Sequence, residues 1–178
     1  MGRRLLKIAS RSLAVMLALV ALGAALTAAC GGGTKVEPEP DPDPGVEAQP
    51  GKVEEPPAGA TQVDVQLLEF EISPDPTSVA AGTVYFLADN IGGEAHEMVV
   101  VKSDSAPGDL PVGDDGRIPE DDIDIVDEIE PFSAGSQASI LLELEPGAYI
   151  LLCNIAEEEA DKIESHYQEG MHAAFIVE

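Results

Sequence analysis

Between residues 60 and 178 short apolar runs alternate with turn residues, and that rhythm restricts the chain to a strand-built fold. In TQVDVQLLEFEI, Val63, Val65 and Leu67 share one parity, the period of a strand with one buried face. SPDPTSVAAG breaks it with two prolines and a glycine. TVYFLADN, AHEMVVVK, IDIVDEI, SQASILLELE, AYILLC and MHAAFIVE read as further strands, and SDSAPGDLPVGDDGRIPEDD reads as loop. Seven or so short strands with turns between them predict an all-β sandwich. All seven Phe and Tyr residues lie in this stretch, which is long enough for one core. EEEADKIESHY is the exception. Glu158 precedes Lys162 by four residues, and Ala156, Ala160, Ile163 and Tyr167 recur at helical spacing. A short helical insertion between the last two strands is expected there.

The first 29 residues read as an export signal. Arg3, Arg4, Lys7 and Arg11 precede LAVMLALVALGAAL, an apolar run shorter than the ~20 residues of a membrane-spanning helix. LTAAC then resembles the lipobox of bacterial lipoproteins, with Thr27 where leucine is more usual. The resemblance implies cleavage before Cys30 and a lipid on its sulfur, placing the protein on the outer face of the bacterial cytoplasmic membrane or in the periplasm. Ordinary signal cleavage, leaving a soluble secreted protein, is the alternative. Residues 30–59 hold seven of the fourteen prolines mixed with acids, and show no apolar periodicity, so they read as an extended tether. Cleavage would leave five Lys and Arg against all 34 Asp and Glu, a formal charge of −29. That excludes nucleic acid and anionic lipid headgroups as direct partners and favours basic ones.

Without Cys30, Cys153 has no partner for an intramolecular disulfide. A lone cysteine in an exported protein is either a small buried hydrophobe or a metal ligand. Its neighbours bear on the choice. Cys153 ends an apolar strand, His166 follows thirteen residues later, and Met171 five after that. His96 stands at the mouth of another strand, after the turn NIGGEA. Two imidazoles, a thiolate and a thioether are the donor set of a type 1 copper centre. His172 follows Met171 on a strand and is expected to face the other way, and Met98 is expected in the core. Asp114, Asp115, Asp121 and Asp122 fail as an EF-hand, because Pro111 and Gly113 would fall at ligand positions. They and the acids Glu157, Glu158, Glu159 and Asp161 read as solvated surface. The second group lies beside the proposed copper loop and is alternatively a docking patch for a basic protein.

The stretches AAGTVYFLADNIGGEAHEMVV, LEPGAYILLC and SHYQEGMHAAFIV resemble the cupredoxin family, the plastocyanin and azurin type of blue copper protein. The resemblance spans residues 61 to 178. It implies a Greek-key β-sandwich binding one copper ion through His96, Cys153, His166 and Met171. Two features depart from the family. Twelve residues separate Cys153 from His166, where a few are usual. Glu97 follows the first histidine, where many relatives have an asparagine that braces the ligand loop.

The function expected is a lipid-anchored, monomeric carrier of single electrons between redox partners, rather than an enzyme. A copper oxidase or reductase needs a second metal site, and only His172 is left to build one. Copper trafficking or storage is one alternative, although handling proteins often use methionine-rich or paired-cysteine sites. A metal-free, protein-binding cupredoxin-like module is the other.

Overall fold

A computed structural model describes residues 47–159 and 162–178, the side chain of Glu159 aside. The export signal, Cys30 and the tether up to residue 46 lie outside the described residues. Two sheets face each other. The first has the order β2(Glu71–Asp75), β1(Thr61–Leu68), β4(Gly82–Asn90), β7(Gln137–Leu144). The second runs β3(Ser78–Val79), β11(His172–Val177), β8(Gly147–Leu152), β5(His96–Lys102), β6(Ile125–Phe132). Most pairs are antiparallel, while β1 with β4 and β3 with β11 are parallel. The expected sandwich is therefore present, with consecutive strands repeatedly changing sheet.

Parity explains the core. Val63, Val65 and Leu67 of β1 and Val84, Phe86 and Ala88 of β4 all point inward and are buried. Met98, Val100, Leu151 and Phe175 meet them from the second sheet. The edge-on Phe86–Phe175 pair lies at the middle, with ring centroids 5.3 Å apart. Strands β5 and β8 are apolar on both parities because both of their faces are covered. Val99, Val101, Ile150 and Leu152 form a second cluster with Leu110, Ile118 and Tyr167. The segment 103–124, of which 103–122 reads from sequence as loop and Ile123 and Asp124 as the start of a strand, thus packs over the outer face of this sheet.

Tyr167 fixes that cover. Its hydroxyl accepts from the Leu110 N–H at 2.9 Å and donates to the Pro107 carbonyl at 2.6 Å. Tyr167→Phe should destabilise the protein by about 2 kcal/mol, since it strands a buried N–H and a carbonyl. Urea unfolding checks this, and a shift under about 0.5 kcal/mol would show that the cover needs no such anchor.

The packed unit also begins before the expected boundary at residue 60. Gln49 bridges to Phe132, donating its N–H to the Pro131 carbonyl and accepting from the Ser133 N–H. Lys52 accepts from the Ser139 N–H at 2.9 Å, and the Glu54 carbonyl accepts from the Tyr85 hydroxyl at 2.6 Å. Residues 49–54 therefore run from β6 to β7, across the open side between the sheets. Backbone hydrogen bonds, not apolar side chains, hold the strap, so hydrophobic periodicity gives no sign of it. Gly51 is required there, since a Cβ would overlap the Gln137 carbonyl.

The expected short helix between the last two strands is present as a single turn, α1(His166–Glu169), while the stretch before it in EEEADKIESHY forms a β-hairpin. β9(Ala156–Glu159) pairs with β10(Lys162–Ser165), and α1 covers only His166–Glu169. Tertiary contacts override the helical spacing. Arg117 donates to the Ala156 carbonyl at 2.7 Å, and Ser165 Oγ donates to the Gly116 carbonyl at 2.6 Å. Both bonds need extended backbone at the base of the hairpin. Strand register also sets Lys162 opposite Glu159.

Candidate metal centre

Four chain segments end at one edge of the sandwich and carry the candidate ligands there. His96 opens β5, Cys153 directly follows β8, His166 opens α1, and Met171 lies between α1 and β11. Each is positioned by local chemistry. Asn90, fully buried, donates to the carbonyls of Glu94 and Phe132 and accepts from the Gly92 N–H, which shapes the turn before His96. Ser165 caps α1 by accepting from the Gln168 N–H, and Gly170 ends it with φ 117°, a value that favours glycine. The Met171 N–H then donates to the His166 carbonyl at 2.9 Å, and the Cys153 N–H to the Met171 carbonyl at 3.1 Å. The His166 N–H reaches the Ile155 carbonyl at 3.0 Å. Main-chain bonds thus tie three of the four segments together, and the long hairpin between Cys153 and His166 returns its two ends to one place.

The side chains converge. His96 Nδ1 lies 3.2 Å from His166 Nδ1, and Cys153 Sγ lies 3.3 Å from His166 Nδ1. All three donor atoms fall within 4.8 Å of one another. His96 and Cys153 are fully buried, and His166 is 2% exposed. Met171 is fully buried in the same inner core as Cys153. His172 stands apart, its ring tilted against Tyr167 at 5.1 Å, and Met98 is core.

Burial disfavours charge on His96 and on Cys153 in the absence of an ion. Burial, with the charge of His166 next, pushes His96 down to about 4, so its imidazole carries no charge at neutral pH. Burial, with the nearby Glu97 adding to it, pushes the Cys153 thiol up.

Glu97, the departure noted above, is itself a brace. It is buried, and its Oε1 accepts from the Asn154 N–H at 2.7 Å, immediately after Cys153. Burial pushes this carboxyl up to about 7. Asn154 is held from its other side by segment 103–124: the Ile118 N–H donates to Asn154 Oδ1 at 2.7 Å, and Asn154 Nδ2 donates to the Ile118 carbonyl at 3.0 Å. Segment 103–124 and the long loop between Cys153 and His166 therefore support each other, next to the thiol.

Sequence reasoning missed two acids. Glu69 Oε1 lies 3.9 Å from His96 Nε2, and Glu94 Oε2 lies 3.9 Å from His166 Nε2. Glu69 is 27 residues from His96 along the chain, and Glu94 is 72 residues from His166, so no local spacing signals either contact.

No family model and no curated relative matches the sequence. Solved structures do match. Reduced auracyanin from Roseiflexus castenholzii is 21% identical, over 67% of this chain and 99% of its own, with a TM-score of 0.47. Auracyanin A, described as a "blue" copper protein from Chloroflexus aurantiacus, is 16% identical over 67% and 100%, with a TM-score of 0.44. Rusticyanin from Thiobacillus ferrooxidans is 16% identical over 72% and 86%, also with a TM-score of 0.44. In this chain itself, two mixed sheets stack with a His–Cys–His cluster at one end. That architecture is the two-sheet β-sandwich which the resemblance to the cupredoxins implies. In this sandwich the hairpin β9–β10 fills the long stretch between Cys153 and His166 while its base stays closed, and Glu97 supplies the loop brace.

Proposed function

We propose that this protein is a type 1 copper protein that carries single electrons between redox partners, held by a lipid on Cys30 outside the cytoplasmic membrane. The observation that carries the copper reading is the buried convergence of His96 Nδ1, His166 Nδ1 and Cys153 Sγ within 4.8 Å. Donors bonded to one ion at about 2.0–2.3 Å lie roughly 3–4 Å apart, and the closest spacings here are 3.2 and 3.3 Å. The donor chemistry fits as well: two imidazoles and a thiolate with a thioether alongside suit copper in both common oxidation states. Copper bound there supplies a one-electron couple.

The remaining roles belong to the chain. Cys153 gives up its proton and offers a soft, strongly donating sulfur. His96 and His166 present Nδ1 lone pairs from two different walls. Met171, tied through its main chain to both Cys153 and His166, is the candidate thioether donor. The main-chain bonds among Cys153, His166 and Met171, with the Glu97 brace, hold the donors in one arrangement, so little has to move when an electron arrives or leaves. Burial keeps water from adding as a ligand.

The decisive experiment is spectroscopic. Full-length protein mixed with Cu(II) should develop an intense visible thiolate-to-copper band that reductant bleaches and oxidant restores. A folded sample that binds copper without such a band would overturn the reading.

The anchor rests on the sequence LTAAC. Cys30→Ala should move the protein from the membrane fraction to the soluble fraction of the producing cell, and retention on membranes would refute lipidation at that residue. The formal charge of −29 left after cleavage before Cys30 favours a basic redox partner at low ionic strength.

A further inference from the structure

Both imidazoles of the cluster turn their outer nitrogen towards a carboxylate, Glu69 for His96 and Glu94 for His166, at 3.9 Å each. The two acids are themselves linked. Glu69 Oε1 accepts from the backbone N–H groups of Gly93 and Glu94, so one carboxylate fixes the turn that carries the other. Burial works against the charge of Glu69, but these N–H donors outweigh it and hold its carboxyl below the usual range.

The space between acid and ring is kept open. His96 Nε2 is fully buried and makes no hydrogen bond among the described residues. A Cβ on Gly92 would stand 2.6 Å from Glu69 Oε1 and 3.1 Å from His96 Nε2, so any side chain there would wedge the two apart. Phe70, which follows Glu69 with φ 61°, sets its ring edge-on to His166 at 5.5 Å.

We propose that Glu69 and Glu94 are positioning residues of the copper site: their charges keep each imidazole proton on Nε2, aim both Nδ1 lone pairs at the ion, and favour Cu(II) over Cu(I). The proposal rests on the copper reading above. At 3.9 Å the contacts are longer than hydrogen bonds, so charge is what acts across them in this structure. Tautomer choice matters because the two Nδ1 atoms are 3.2 Å apart, and a proton on either would occupy the space the donors enclose. A carboxylate behind a ligating imidazole makes it a better donor, and negative charge beside an ion stabilises its higher oxidation state. Both acids are partly exposed, which moderates the effect.

The test uses the full-length chain with Glu69→Gln, Glu94→Gln and the double variant. Glutamine removes the charge but keeps an oxygen for the Gly93 and Glu94 N–H groups. Glu145→Gln is the control, an equal change of charge in the turn between β7 and β8, at the far end of β8 from Cys153. Each site variant should lose about tenfold in affinity for Cu(II) relative to Cu(I). That corresponds to a rise of about 59 mV in midpoint potential. The control should shift far less. In the metal-free protein, imidazole nitrogen NMR should show both rings protonated at Nε2 in the wild type and mixed tautomers in the variants. Potentials that track the control, with Nε2–H tautomers retained, would overturn the proposal. If the wild type forms no thiolate–copper band, the copper reading fails, and the nitrogen spectra of the metal-free variants then decide the positioning role alone.

Discussion

Cys153→Ala should abolish the visible band of the copper-loaded protein completely while leaving the sandwich folded. The band requires a thiolate bonded to copper, and Cys153 is the only cysteine among the described residues. The substitution removes one buried sulfur from the inner core, and the hole it leaves should cost roughly 1 kcal/mol, well short of global unfolding. Far-ultraviolet circular dichroism should therefore match the wild type. His96 and His166 remain, so the variant should still bind Cu(II), with weaker affinity and only the faint absorption of nitrogen-ligated copper. The contrast between an intense and a faint band separates a thiolate centre from adventitious copper on imidazoles. An intense band persisting in Cys153→Ala would remove the thiol from the site.

Much of this architecture is written in local patterns. The parity of Val63, Val65 and Leu67 gives β1, and the apolar run from Met98 to Val101 gives a strand covered on both faces. His96, Cys153 and Met171 could be placed at strand ends because each adjoins a run of clear strand character. Strand ends in a two-sheet fold gather on few surfaces, which made a convergent site a reasonable expectation. What could not be read depends on partners distant in the chain. The spacing of Ala156, Ala160, Ile163 and Tyr167 suits a helix, and only Arg117 and Gly116, about forty residues earlier, turn the segment into a hairpin. Residues 49–54 carry no apolar signal, because it is their main-chain groups that bond, to Pro131, Ser133, Ser139 and the Tyr85 hydroxyl among others. Glu69 and Glu94 look like any of the chain's many acids until the fold sets them behind the two rings.

Removing copper should destabilise the protein by several kcal/mol, the largest stability change expected of it. A ligand that binds only the folded state stabilises it by about 4.1 kcal/mol when present at a thousand times its dissociation constant. The geometry supports nearly the full effect. The donors come from the start of β5, the end of β8, and either side of α1, so an unfolded chain scatters them and holds the ion far more weakly. In the folded chain they are already within 4.8 Å, which lowers the ordering cost of binding. In the metal-free site the thiol is held protonated beside His166, so loading exchanges that proton for the ion. At roughly 2–8 °C per kcal/mol for domains of this size range, the melting temperature should rise by ten degrees or more on loading. Calorimetry of the wild type with and without Cu(II) measures the shift, and Cys153→Ala should keep only a small part of it. Equal melting temperatures with and without copper, at saturating metal, would mean that the cluster binds nothing when the protein is folded.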